Sequence, residues 1–171
     1  MTDMALLIEP VIPALRRYAR ALVRDRAEAD DLVQDCLERV VGRWSQRRQD
    51  ADARTWMFSI LHNLAISRHR QARRRGPHLD MDAVEPSALT EPPAQEARVR
   101  HGELLKALDA LPADQRALLL LVGVEGLSYA EAAVVLGVPI GTVMSRLSRG
   151  RDRLAEMMES GVQRTPLRRV K

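Results

Sequence analysis

Five side chains that can bind nucleic acid recur at helical spacing near the C-terminal end of the chain. They occupy positions i, i+3, i+4, i+7 and i+11 of one predicted helix: Thr142, Ser145, Arg146, Arg149 and Arg153. This spacing places all five on one face. Arginine can donate two parallel hydrogen bonds to guanine in a major groove, and arginines and hydroxyls also suit phosphate oxygens. The face predicts a DNA-recognition helix, the alternative being a solvated basic face.

The residues just before this helix predict a helix-turn-helix. Ser128 and Glu131 have the spacing of a capping box, which begins a first short helix. Gly137 can adopt the left-handed conformation that ends it, and Pro139 fits the first turn of the next helix. Apolar residues on the other side of the second helix would face the core: Val143, Leu147 and Leu154. Gly150 is expected to interrupt this helix at a cost of about 1 kcal/mol relative to alanine.

A long helix predicted in the first half combines an apolar stripe with an acidic one. The apolar positions recur at helical spacing: Leu32, Val33, Cys36, Leu37, Val40, Val41 and Trp44. The opposite side carries Asp31, Gln34, Asp35 and Glu38. Such a stripe suits a basic protein surface, although it would also be ordinary as a solvated face. Cys36, the only cysteine, excludes an intrachain disulfide, and its position predicts a buried, inert thiol.

A third helix, predicted from about Arg54 to Arg75, combines aromatic residues with arginines. Trp56 and Phe58 lie near its start, and its end carries Arg68, Arg70, Arg73, Arg74 and Arg75. Aromatic rings that stack on bases, followed by cations along the backbone, match the needs of single-stranded nucleic acid. In the competing interpretation the rings are core residues and the arginines only oppose the helix dipole.

Charge and composition divide the chain into three parts. Residues 1–75 have 15 arginines against 10 acids, residues 76–97 have 5 acids and no Lys or Arg, and residues 98–171 have 12 basic residues against 8 acids. The middle part holds four prolines and no apolar periodicity, which indicates a flexible linker. The sequence therefore predicts an all-α protein with two small helical domains, the second a four-helix module containing the helix-turn-helix. Two basic bodies favour a polyanionic partner, although a high-arginine composition alone could give the same charges.

Several classes of function lack their sequence signals. No metal-ligand cluster, phosphate-binding glycine loop or nucleophile elbow occurs, so we expect no enzyme, no metal and no cofactor. No signal-peptide layout or membrane-spanning apolar run occurs either. We therefore expect a cytoplasmic protein without membrane insertion.

These pieces, in this order, resemble the bacterial RNA polymerase sigma factors of the extracytoplasmic-function (ECF) type, within the sigma-70 family. DDLVQDCLERV is similar to the polymerase-binding helix of that family, and TWMFSILHNLAISRHR to its promoter-melting helix. LPADQRALLLLVGVEGLSYAEAAVVLGVPIGTVMSRLSRGRDRL is similar to its reader of the minus-thirty-five element. The resemblance implies a sigma region 2 domain (1–75), a linker (76–97) and a sigma region 4 domain (98–171).

The resemblance also implies partners and site residues. Core RNA polymerase would bind through its beta-prime and beta subunits, with the clamp helices of beta-prime on Asp31, Gln34, Asp35 and Glu38. A flipped minus-ten base would enter a pocket formed by residues 46–54 and Asn63. The full minus-ten set is Gln49, Asp50, Trp56, Asn63, Arg68 and Arg70. At the minus-thirty-five element, Ser145, Ser148 and Arg149 would face base edges, with Thr142, Arg146 and Arg153 on phosphates.

An anti-sigma factor that covers both domains is the expected inhibitor. Two other functions fit parts of the pattern. A sigma-like decoy would occupy an anti-sigma factor without binding promoters. A helix-turn-helix repressor would use the first half as a dimerisation domain and would bind palindromic DNA without polymerase.

Overall fold

The computed structural model describes residues 2–23, 25–47, 52–75 and 95–163, which form helices joined by short turns, without a β-strand. The all-α prediction is confirmed. The described α-helices are, in order, α1 (Thr2–Ile8), α2 (Ile12–Val23), α3 (Arg26–Gly42), α4 (Ala53–Arg75), α5 (Gln95–Ala110), α6 (Ala113–Leu119), α7 (Tyr129–Leu136) and α8 (Ile140–Gln163). Residues 76–94, most of the predicted linker, lie outside the described part.

Two prolines, Pro10 and Pro13, lie where α1 ends and α2 begins. Helix α1 precedes Pro10, which lies in a short 3-10 helix, Glu9–Val11. Pro13 occupies the first turn of α2, where a missing backbone N–H costs nothing. Ile8 and Val11 are buried, so this leading segment belongs to the core.

The N-terminal core forms where α2, α3 and α4 meet. Leu15 and Tyr18 of α2 pack with Leu32 of α3 and with Met57 and Phe58 of α4, all almost fully buried. The apolar stripe of α3 is confirmed at the members that are buried in this core: Leu32, Val33, Cys36 and Val40.

The edges of the α3 stripe differ from the prediction. Val41 is 53% exposed, because the helical period carries it beyond the buried face. Leu37 and Trp44 are only partly buried. The Cys36 thiol donates to the carbonyl oxygen of Met57 at 3.6 Å, and burial raises its pKa to about 12. The predicted burial of the thiol is confirmed, and its raised pKa keeps it protonated at neutral pH.

The C-terminal half forms the predicted four-helix module of α5 to α8. The capping box is present: the Ser128 Oγ accepts from the Glu131 N–H at 3.2 Å, and the Glu131 carboxylate accepts from the Ser128 N–H at 2.7 Å. Gly137 ends α7 with φ of 64°. The small core of the module consists of Leu118, Ala132, Val143 and Leu147.

A π-helical turn, Leu120–Val124, follows α6 and leads into the helix-turn-helix. It closes with a hydrogen bond from the Glu125 N–H to the Leu120 carbonyl at 2.9 Å. Gly126, at φ 70°, then reverses the chain. The turn brings Leu121 and Leu127 into the cluster that contains the N-terminal core. The two helical halves therefore pack against each other, with α7 lying on α4.

No single described helix is both long and apolar enough to cross a bilayer. Helix α7 and residues Ile140–Ser160 of α8, which are bent by 101° relative to each other, have that length and composition only as a pair.

Gly150 does not interrupt the recognition helix, which corrects the sequence-based expectation. Helix α8 runs through it, and Gly150 is buried against α6. A Cβ atom there would lie 3.4 Å from both the Gln115 Cβ and the Leu119 Cδ1, at ordinary contact distance. The helix thus absorbs the conformational cost of the glycine, and a methyl group would fit against α6.

Gly150→Ala should raise the free energy of unfolding by up to about 1 kcal/mol, because alanine favours the helix and its methyl group fits. Urea denaturation would measure this. Gly141→Ala, in open space on the same helix, reports the effect without the α6 contact. A loss of stability specific to Gly150→Ala would show that the contact with α6 is too tight for a methyl group.

His62 gives the N-terminal core a pH dependence. Its Nδ1 shares a 3.0 Å hydrogen bond with the Tyr18 hydroxyl, and burial lowers the His62 pKa to about 4. The unfolded chain, with a histidine pKa near 6.5, binds a proton that the fold excludes. Stability contributed by neutral His62 is therefore present above pH 6.5 and lost as the pH falls towards 4.

Between pH 7 and pH 4.5 the wild type should lose about 2–3 kcal/mol more stability than His62→Gln, whose amide does not titrate. Urea denaturation at both pH values compares them. Parallel losses in the two proteins would contradict this role for His62.

Candidate nucleic-acid interface

The predicted recognition residues form a solvent-facing row on α8. Its first turn is fixed by hydrogen bonds from the Thr142 and Val143 N–H groups to the Pro139 carbonyl. The inward face is anchored by Val143 and Leu147, both buried. The exposed members of the predicted set are Ser145, Ser148, Arg149 and Arg153, while Thr142 and Arg146 are half-buried. Rigid packing below the row holds it as one surface.

Hydrogen bonds along α8 orient part of this row. The Ser145 hydroxyl donates to the Thr142 carbonyl at 3.1 Å, and the Arg149 Nε donates to the Ser145 carbonyl at 3.2 Å. Bonding through Nε leaves the two terminal NH₂ groups of Arg149 without a hydrogen bond to any described residue. These groups provide the paired donors that a guanine edge accepts.

Arg146 differs from its neighbours because it has a protein partner. Its Nε lies 3.3 Å from the Asp114 Oδ2 at the start of α6, and its side chain is 32% exposed. Asp114 lies 32 positions earlier in the chain, so no local spacing rule could have identified this pair. Arg146 thus connects two helices of the module and is not a free cation.

Two exposed apolar residues, which the sequence-based site did not include, flank the polar row. Ile140 is 45% exposed and Met144 is 51% exposed, both in the first two turns of α8. Apolar side chains at a groove can contact the methyl group of thymine. They extend the chemistry of the surface beyond hydrogen bonding.

The aromatic residues of α4 have separate roles. Phe58 is fully buried and belongs to the core, as the competing interpretation allowed. Trp56 is half-buried and meets Trp44 edge to face, with ring centroids 6.1 Å apart. The Arg47 guanidinium lies 4.9 Å from the centre of the Trp44 ring. A partly open aromatic surface with a cation beside it is suited to stacking a base.

The start of α4 is ordered by Asp52. Its carboxylate accepts from the Thr55 N–H at 2.7 Å and from the Thr55 hydroxyl at 2.9 Å, an N-cap arrangement. Partial burial acts to raise the pKa of Asp52, but these hydrogen bonds and the nearby Arg54 outweigh it and lower the pKa. The carboxylate stays charged at neutral pH and fixes the first turn.

A cleft of about 320 Å³ lies beside Trp56, between the two halves of the chain. Its lining comes from α4 and the residue before it on one side and from α7 on the other: Asp52, Thr55, Trp56, Ser59, Ala130, Glu131 and Val134. Asn63, from the predicted minus-ten set, is exposed further along α4. Gln49 and Asp50 lie outside the described residues.

Only part of the acidic stripe on α3 is exposed to solvent and without an ion-pair partner on another described helix. Asp31, Gln34 and Glu38 are exposed, and the Gln34 amide donates to the Glu38 carboxylate at 3.3 Å. Asp35, in contrast, pairs with Arg68 of α4 at 2.6 Å.

Arg68 therefore joins two predicted sites. It also donates to the Glu28 carbonyl at 3.3 Å, so its guanidinium holds α4 against α3 at two points. A residue predicted for polymerase and one predicted for DNA thus bind each other. Arg70, Arg73 and Arg74 beyond it are exposed.

Comparisons with known proteins identify the family to which the two halves of the chain are similar. The family model described as the sigma2 domain of PhyR matches residues 8–62, and that of sigma-70 region 4 matches residues 101–154. The chain is 37% identical over 147 residues to the ECF RNA polymerase sigma factor EcfG of Rhodopseudomonas palustris (strain TIE-1), covering 86% of this chain and 80% of that protein.

Further similarity extends over most of the chain. The ECF RNA polymerase sigma factor SigM of Mycobacterium tuberculosis is 34% identical over 144 residues, with 84% of this chain and 71% of SigM covered. The solved structure of the sigma factor RpoE in complex with the anti-sigma factor NepR, from Bartonella quintana, is similar in fold with a TM-score of 0.77. It shares 35% identity and covers 93% of this chain and 98% of RpoE.

Proposed function

This chain belongs to the ECF sigma factors of RNA polymerase, and we propose that it binds core polymerase through α3, opens the minus-ten element through α4 and reads the minus-thirty-five element through α8. Residues 1–75 then act as region 2, 76–97 as the linker and 98–171 as region 4. The observation that carries the proposal is the solvent-facing row of α8, in a chain with an acidic stripe on a separate helix.

The polymerase surface is the exposed part of the α3 stripe. Asp31, Gln34 and Glu38 present two carboxylates and an amide to solvent, opposite the buried face of the same helix. Such a surface complements a basic partner and speeds its association. Asp35 contributes through its pair with Arg68, which places α4 relative to the stripe.

The minus-ten surface is the solvent side of α4 and the segment before it. Trp56 offers a stacking face for an unpaired base, and Asn63 offers an amide two turns further on. Arg68 and Arg70 follow at the end of the helix, in place to meet the backbone of the same strand. Bases outside a duplex are recognised by stacking and edge hydrogen bonds of this kind.

The minus-thirty-five surface divides into base and phosphate contacts. Ser145, Ser148 and Arg149 are exposed and face base edges. Thr142, Arg146 and Arg153 lie together on one side of these three and meet phosphates. Arg146 would share its guanidinium between Asp114 and a phosphate, since its side chain is still one-third exposed.

An anti-sigma factor is the proposed regulator. The RpoE structure from B. quintana holds the anti-sigma factor NepR, and RpoE matches this chain over most of its length. The protein would work in the cytoplasm, where polymerase and promoter DNA are found. The exposed arginines of α8 argue against a decoy, because sequestering an anti-sigma factor does not require them.

The direct test is transcription in vitro with core polymerase, with and without this protein, on a library of promoter fragments. Start sites that appear only with the protein support the proposal. Binding to palindromic DNA as a dimer, without any effect on polymerase, would favour a repressor instead.

Reversing two charges on α3 should weaken polymerase binding. In Asp31→Arg with Glu38→Arg, like charges would face the basic partner while the buried stripe and the Asp35–Arg68 pair stay intact, so the dissociation constant should rise at least about tenfold. The matched control is Glu156→Arg with Glu159→Arg, two exposed carboxylates on α8. If both variants bound core polymerase with equal affinity, α3 would not be the polymerase-binding surface.

Substitution of Arg149 and of Arg146 on α8 should affect DNA binding in different ways. Arg149→Ala should relax the preference at one minus-thirty-five base pair by about 1–3 kcal/mol, because a bidentate base contact is lost. Arg146→Ala should weaken binding to all sequences alike, and it should reduce the slope of log affinity against log salt concentration by about one unit.

Binding to a panel of single-base promoter variants at two salt concentrations separates the two patterns. Asp114→Ala controls for the ion pair of Arg146. A uniform loss of affinity in Arg149→Ala, with base preference unchanged, would show that Arg149 is on the wrong face.

A further inference from the structure

A buried carboxylate lies at the junction of the two halves of the chain. Glu125 follows the π-helical turn, and its side chain is 1% exposed. Arg17 of α2 binds it with two parallel hydrogen bonds, Nη2 to Oε2 at 2.8 Å and Nε to Oε1 at 3.2 Å. These residues are 108 positions apart, and the pair joins region 4 directly to region 2.

A second arginine from region 2 holds the same residue. The Arg54 Nη2 donates to the Glu125 backbone carbonyl at 2.6 Å and lies 3.8 Å from its carboxylate. The Arg54 guanidinium also lies over the Phe58 ring, 5.3 Å from its centre. Both polar groups of Glu125 are therefore bound by the other half of the chain. A buried charge is tolerated only with such partners.

Apolar packing reinforces the junction. Leu121, Leu127 and Val135 of region 4 are almost fully buried in the cluster that contains Phe58 of region 2. The two halves thus share a core as well as an ion-pair network. The Thr55 hydroxyl lies 3.5 Å from the Glu131 carboxylate at the edge of this contact.

This contact covers the start of α4. The cleft beside Trp56 has α4 as one wall and α7 as the other, with Ala130 and Val134 facing it. Arg54, inside the predicted base pocket, is engaged by Glu125. A single strand approaching Trp56 would meet the first helix of the helix-turn-helix.

We infer that the chain closes on itself without any partner, with Glu125 latching α7 over the minus-ten face of α4, so that this face must be uncovered before it binds a strand. The masking part rests on the proposed role of α4. The latch itself rests only on the contacts of Glu125. The closed form makes region 4 an internal competitor of promoter DNA, and a partner that binds the closed form would stabilise it.

The latch is tested by measuring the distance between the two halves of the full-length chain. Cysteines at Ala27 and Ala155, both exposed, take a fluorescent donor and acceptor, while the buried Cys36 thiol stays unlabelled. Glu125→Arg opposes the two arginines and should give a longer and broader distance distribution than the wild type. Glu159→Arg, the same change at an exposed carboxylate, should leave the distribution unchanged.

A second, milder variant controls for misfolding of Glu125→Arg. Glu125→Gln keeps the shape of the side chain but loses its charge, and it should open the chain to an intermediate degree. Circular dichroism and urea unfolding check that each variant is folded. The latch would be overturned if the wild type already had a long and broad distance distribution. It would also be overturned if the folded Glu125 variants had the same distribution as the wild type.

Intrinsic fluorescence tests the masking separately, because Trp44 and Trp56 are the only tryptophans and lie at this site. The probe is single-stranded DNA that carries minus-ten sequences from the start sites mapped by transcription. It should quench the tryptophan fluorescence of Glu125→Arg at a several-fold lower concentration than that of the wild type, because the apparent affinity is proportional to the open fraction. Equal quenching of an open variant and a closed wild type overturns the masking. If Glu125→Arg opens but the DNA quenches the fluorescence of neither protein, the latch is supported and the role proposed for α4 is contradicted.

Discussion

Moving a carboxylate out of water costs several kcal/mol unless cations and hydrogen-bond donors replace the water. Glu125 meets that requirement with groups from the far half of the chain, Arg17 and Arg54. The π-helical turn immediately precedes Glu125, whose N–H closes it by donating to the Leu120 carbonyl. Extra residues of this kind in helices are frequent at functional sites. The position of α7 on α4 depends on this one interaction together with the apolar contacts beneath it.

Helix α4 contacts α7, the N-terminal core and α3 along its length. Its start carries Trp56 and meets α7 across the cleft, its centre supplies Phe58 to the core, and its end binds Asp35 of α3 through Arg68. The two ends of this 23-residue helix thus contact different neighbours, α7 at its start and α3 at its end.

The arginines fall into two groups that composition alone does not separate. Arg17, Arg54, Arg68 and Arg146 bind carboxylates within the protein. Arg149 and Arg153 remain exposed on α8. A guanidinium has five donors in a fixed plane, so one side chain can bind a protein carboxylate and still present donors outward. The basic character of the chain thus contributes to internal structure as well as to nucleic-acid affinity.

Features determined by near neighbours were predictable from the sequence. The capping box of Ser128 and Glu131, the left-handed Gly137 and the buried stripe of α3 each depend on residues within a few turns, so spacing alone indicated them. The exposed row of α8 followed from the same periodicity. The resemblance to sigma factors also lay in contiguous segments, and the relatives confirm it.

Features determined by distant residues required the tertiary structure. Nothing in the local sequence pairs Arg146 with Asp114, Asp35 with Arg68 or Glu125 with Arg17, because each pair joins separate helices. Gly150 was misjudged for the same reason: its cost is visible in the local sequence, whereas the packing of α8 against α6, which keeps the helix continuous, is not. Local sequence sets which helices form and which faces are apolar. The packing of helices, within each half as well as between the halves, decided which charged groups remain available to a partner.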